Sequence, residues 1–178
     1  GLPGQNFAVL SLQQKVFSRS NIGLMFVNKE SLDYNSLTDS LQTQYTKFNR
    51  NLGLEYNLAS ADNQYNGKVF MLKSFGPDST YNGFAQGAHL EYSSRKWNWR
   101  VQQEYISEDF TSEVGFVPRN NYIKLEGSVG HLFLPNSEKV VSHGPQYTGF
   151  YYFDPSMNST DYVSILGYTV NFMDRSSL

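Results

Sequence analysis

The chain has no cysteine, which excludes a disulfide framework, a cysteine-based metal site and a thiol nucleophile. Charge is scarce: Asp, Glu, Lys and Arg make up 17% of 178 residues, against about 25% in an ordinary soluble domain. The balance is slightly acidic, at −2, and no basic surplus points to a nucleic-acid partner. Nowhere does the sequence approach the run of about 18 apolar residues that a transmembrane helix needs. The Gly-x-Ser-x-Gly elbow, the phosphate-binding glycine loop and the EF-hand spacing are all missing. Gly1-Leu2-Pro3-Gly4 is not followed by the basic region and apolar core of a signal peptide, and it reads as the continuation of something upstream.

What is present is aromatic and neutral-polar. Tyr and Phe occur 13 times each, Asn 16 times and Ser 21 times, and the mean hydropathy is only −0.48. Many rings, few charges and many small polar groups suit strands with one face on lipid and the other on a polar interior. An aromatic-rich soluble sandwich has the same composition. The length is enough for a single domain, 1–178, with a sizeable core.

The periodicity is that of strands. Over Arg50–Leu58 the residues Leu52, Leu54, Tyr56 and Leu58 share one side, and Asn51, Gly53, Glu55 and Asn57 the other. Trp97, Trp99, Val101 and Tyr105 likewise oppose Asn98, Arg100, Gln102 and Glu104. Similar segments run from Phe7 to Phe17, from Asn21 to Phe26, and over 65–75, 84–92, 122–133, 146–153 and 162–172. Breaks at Ser18–Asn21, Ala61–Gln64, Gly76–Asp78, Ser93–Lys96 and Pro135–Ser137 separate them, and His143-Gly144-Pro145 reads as a further turn. About nine strands of roughly 8–12 residues result, longer than the soluble mean of about 5–6. Residues 29–48 have no clean period and read as a long irregular loop. The fold class expected is therefore all-β: an antiparallel meander of about 8–10 long strands, forming part or all of a transmembrane β-barrel.

Candidate sites are few. Trp97 and Trp99, on one side of one strand, offer a surface for stacking sugar rings, or simply pack. Glu104, Glu108, Asp109 and Glu113 are the densest acidic cluster. A glycosidase needs two carboxylates about 5–9 Å apart across its sugar, and a solvated loop rim has the same sequence. His89, His131 and His143 stand in no metal-binding spacing, and Ser142 beside His143 is not a catalytic pair by adjacency. No catalytic, cofactor-binding or metal residue is assigned on these grounds.

Several strings recur in order: Leu2-Pro3-Gly4-Gln5-Asn6-Phe7, Arg19-Ser20-Asn21-Ile22-Gly23, Tyr65-Asn66-Gly67, Trp97-Asn98-Trp99, the run from Glu113 through Gly115 to Arg119, Ser142-His143-Gly144-Pro145, and the run from Asn171 to Ser177. Together they resemble the C-terminal region of the DUF5916 family of Bacteroidota proteins. Its full-length members add an N-terminal carbohydrate-binding family 9-like domain, which is absent here. The resemblance implies an outer-membrane β-barrel, a cell outer membrane location, and a lipid bilayer, other outer-membrane proteins and carbohydrate as partners. It implies no cofactor and carries over no catalytic residue. The family's region is longer than this chain, so further strands are implied on both sides. The function expected is an outer-membrane barrel component serving transport, scaffolding or anchoring. The alternative is a surface carbohydrate-binding or glycan-hydrolysing β-domain that uses the Trp97/Trp99 face and the Glu104–Glu113 cluster.

Overall fold

A computed structural model describes residues 4–32, 46–78, 80, 82–115, 117 and 119–178. The alternating segments form nine strands: β1 (Gln5–Val16), β2 (Ser20–Ser31), β3 (Phe48–Ala59), β4 (Tyr65–Phe75), β5 (Phe84–Ser93), β6 (Trp97–Ile106), β7 (Tyr122–His131), β8 (Val140–Phe153) and β9 (Ser159–Phe172). They make one sheet in sequence order, every neighbouring pair antiparallel. Of the irregular loop expected over 29–48, Lys29–Ser31 belong to β2 and Phe48 opens β3, while 33–45 lie outside the described residues.

Local chemistry sets the turns. Between β1 and β2, Phe17 takes a left-handed φ of 54°. Between β3 and β4, the Asp62 carboxylate accepts from Ser60 Oγ at 2.6 Å and Gln64 N at 3.1 Å, and Asn63 supplies the positive φ that Asn tolerates. Asp154 does the same work before β9, accepting from the backbone and side-chain amides of Asn158. The turn expected at His143-Gly144-Pro145 is instead the interior of β8. Pro145 is tolerated there because the β7 ladder stops at Gly130–Gln146, leaving no β7 partner that needs its absent N–H.

Antiparallel pairing keeps opposed residues on one face. The registers Leu12–Leu24–Leu54–Met71 and Tyr65–Tyr92–Trp99–Val129 therefore gather the apolar set on one side. That side is open: Leu12, Leu24, Leu54, Met71, Val101, Leu125 and Leu166 are all exposed. The polar side is the crowded one, with Lys29, Asn49 and Ser74 fully buried. We call the two sides outer and inner. The compact apolar core lies on the inner side and is small: Ala85, Ile106, Phe110 and Tyr122, with Leu72, Val117 and Tyr152 against it.

The meander of nine antiparallel strands stands, but the barrel does not. β1 pairs only with β2 and β9 only with β8, and both strands are exposed almost throughout. Strand parity explains this. In an antiparallel sheet of nine strands the first and last run in the same direction, so joining them would require a parallel ladder foreign to the rest of the sheet. An open sheet leaves edge N–H and C=O groups unsatisfied in hydrocarbon, where each such group costs several kcal/mol. The outer-membrane barrel role, the outer-membrane location and the lipid-bilayer and membrane-complex partners implied by the resemblance are therefore corrected: this chain's sheet does not carry them.

Candidate functional site

The inner face is built by residues of opposite size facing each other. Across β2, β3 and β4, Met25 opposes Gly53, which opposes Leu72, while Gly23 opposes Glu55, which opposes Phe70. Each glycine lets its large neighbour lie flat on the sheet. A Cβ on Gly53 would stand 2.6 Å from Leu72, and one on Gly23 would stand 2.8 Å from Glu55. The result is a hollow of 340 Å³ over these strands, walled by Met25, Phe70 and Leu72 and rimmed by Ser11, Glu55 and Lys68. Ligand pockets of about 300–1,000 Å³ with apolar walls and a few placed polar groups are the usual form of small-molecule site.

The rim is organised. Lys68 Nζ lies 2.5 Å from Glu55 Oε2, and Asn57 donates to Glu55 Oε1 at 2.9 Å and to Asn21 Oδ1 at 2.8 Å. Those bonds from Lys68 and Asn57 hold the Glu55 carboxyl below its ordinary pKa of 4.5. Further along the inner face the pattern repeats. Arg100 donates to Gln102 at 2.7 Å, and Lys124 pairs with Glu126 at 2.8 Å while lying over the Phe150 ring. Burial opposes the Lys124 ammonium, but its bond and charge contact with Glu126 outweigh that and raise its pKa. His89, among Lys68, Glu91 and Arg100, is held below 6.5 by burial first and by Arg100 next. Positive and negative groups thus alternate, with rings between them.

One end of this face is closed. The segment after β6 turns back across the sheet and lays Phe110 into the core. Asn49 on β3 donates to Thr111 O and Oγ1 at 3.3 and 3.1 Å and accepts from Glu113 N at 3.1 Å. Glu113 Oε2 meets Lys29 Nζ of β2 at 2.7 Å, and its other oxygen accepts from Thr46 Oγ1. Gly83 N donates to Asp109 O at 3.0 Å, and this approach needs glycine: a Cβ there would fall 2.0 Å from Phe110 N. Leu72, a wall of the hollow, packs on the same core, so the strap seals the hollow on the side of the long loops.

The structure disperses the acidic cluster. Glu104 lies on the inner face and accepts the Tyr122 hydroxyl proton, whose pKa is raised by burial and by that carboxylate. Glu113 is committed to Lys29, and Glu108 and Asp109 stand exposed on the strap. No two of them frame a common cleft. Trp97 and Trp99 lie on the outer face, opposite Glu104, so no one ligand touches both sets. Trp99 stacks on Tyr92 (centroids 5.9 Å, 27°) with Tyr65 against both, and Trp97 sits edge-on to His131 at 4.4 Å. His131, Phe133, His143 and Tyr168 continue this aromatic band, His143 Nδ1 sharing a 2.5 Å hydrogen bond with the Tyr168 hydroxyl. The rings contact one another and have few polar neighbours. The larger outer hollow, of 620 Å³, faces Tyr56, Leu58, Val69, Leu90, Val101 and Leu125 and offers Gln103 as its main polar side chain. Among the described residues no three His, Asp or Glu side chains converge as metal ligands.

Sequence reasoning placed Glu55 and Gly53 on the polar side but missed the hollow. Its signal is the facing of glycines with large side chains, and that appears only once register is known.

These features define an open, single-layer antiparallel β-domain with an apolar outer face and a charge-paired inner one. Residues 2–176 match the family described as Domain of unknown function (DUF5916), and the chain belongs to that family. No curated protein and no solved structure matches it.

Proposed function

We propose that this chain is a carbohydrate-binding β-domain that holds its sugar on the inner face, in the hollow over Gly23 and Gly53. The observation that carries the reading is the pairing, in one 340 Å³ space, of an aromatic wall with a rim of fixed donors and acceptors. A pyranose has an apolar C–H face and a ring of hydroxyls. Phe70 suits the first, and Glu55, Lys68 and Asn57 suit the second. The rim is charge-balanced, which favours a neutral ligand over an ionic one, since buried polar groups are costly only when unpaired. The outer Trp97/Trp99 surface suits this role less well, because stacked neighbours cover its rings and few hydroxyl partners flank it. Hydrolysis is left out of the proposal, because no carboxylate pair spans the hollow.

The test is calorimetric or NMR titration of the chain with neutral oligosaccharides, alongside Phe70→Ala and Glu55→Gln. Phe70→Ala is expected to weaken binding at least tenfold, about 1.4 kcal/mol, and Glu55→Gln to weaken it by a smaller factor. If Trp97→Ala abolishes binding while Phe70→Ala leaves it intact, the sugar sits on the outer face and the proposal fails.

A further inference from the structure

We infer that the inner face is a blind trough that accepts the end of a glycan chain and rejects chain interiors; this rests on the carbohydrate reading above. The first observation is the strap. Its backbone is tied to β3 through Asn49, to β4 through Ser74 Oγ and Thr111 N at 3.4 Å, and to the start of β5 through Gly83. Its apolar anchor Phe110 is buried with Ala85, Ile106 and Tyr122. Glu113 reaches Lys29 on β2, so the strap crosses the loop-side ends of β2 to β6. The second observation is where the polar ladder lies. Glu55, Lys68, His89, Gln102 and Glu126 are strung across β3 to β7 on the side of the strap nearer the short turns at 60–64 and 94–96. Leu72 links the two, walling the hollow on one side and touching the strap core on the other.

A sugar chain lying along the strands therefore enters from the short-turn end and stops at Leu72 and Phe110. One terminal residue fills the hollow, the next units run past Lys68, His89 and Gln102, and the rest of the chain leaves into solvent. A chain interior would have to continue through the strap. The specificity-determining group is thus the strap, through Phe110 and the Glu113–Lys29 pair, although neither side chain of that pair touches the sugar.

The experiment titrates the intact chain with maltohexaose, cellohexaose, laminarihexaose and chitohexaose, then with the soluble polysaccharide of whichever linkage binds. For an end-binder, apparent affinity per gram falls from hexaose to polymer in proportion to the fall in chain ends, and mild acid cleavage of the polymer restores it. Equal affinity per gram for hexaose and polymer overturns the inference and leaves the carbohydrate reading standing. Failure of every hexaose overturns both. A second arm uses Asn49→Ala with Glu113→Ala to free the strap, with hydrogen exchange confirming that the strands stay protected. Polymer binding per gram is expected to rise at least tenfold in this variant. No rise, with the strap released and the sheet intact, also overturns the inference.

Discussion

At the scale of single residues, two groups report on their surroundings. His89 is neutral near pH 7, because burial, then Arg100, hold its folded pKa below 6.5, with Glu91 opposing in part. The sign follows from linkage. The unfolded chain takes up the proton first, so stability is unaffected above about 6.5 and is lost as the pH falls through the window down to the folded value. An NMR titration should place the His89 midpoint below 6.5, and Arg100→Gln should move it upward. An unchanged midpoint in that variant would remove Arg100 as a cause. Phe17 is the second. Its φ of 54° is costly for a side chain with a Cβ, and the ring is 84% exposed, so it recovers little by packing. Phe17→Asn should stabilise the protein by about 0.5–1 kcal/mol in urea unfolding. This residue also marks a limit of sequence reading. Ser18–Asn21 is legible as a break, but nothing in it shows that Phe17 itself turns.

At the scale of elements, the strap is the one part whose removal is local. Lys29 is buried and Glu113 partly exposed, so the pair is asymmetric. Glu113→Ala strands a buried ammonium and should cost about 3 kcal/mol, whereas Lys29→Met keeps the volume, returns Glu113 to water and should cost less than about 1 kcal/mol. Chemical denaturation of both variants checks the order, and equal losses would refute it. Strands were legible because their alternation is strict: β4 is read from 65 to 75 and found at Tyr65–Phe75. β8 was cut short because Gly144 and Pro145 signal a turn, and only the end of the β7 ladder makes them acceptable in a strand. The strap was not legible at all. Glu104, Glu108, Asp109 and Glu113 look like one cluster in sequence. Glu104 ends a strand on the inner face and the others ride a segment that crosses to β2, so their nearness in sequence is not nearness in space.

At the scale of the molecule, the sequence supports nine antiparallel strands and two chemically opposed faces, and the structure keeps both. Closure is a different kind of property. It depends on pairing between the first and last strands, and no local period encodes that. The candidate site sits between these cases: its residue types were visible on the polar face, but its hollow exists only through the Gly23–Glu55 and Gly53–Leu72 registers. The strap has a kinetic consequence as well. Each ladder joins strands adjacent in the chain, so the meander can zip hairpin by hairpin with little loop-closure entropy. The bond from Asn49 to Thr111 spans 62 residues and cannot form until β3 to β6 are aligned. Folding therefore divides into a fast assembly of the sheet and a later docking of the strap, and during that interval the inner face stands open at both ends.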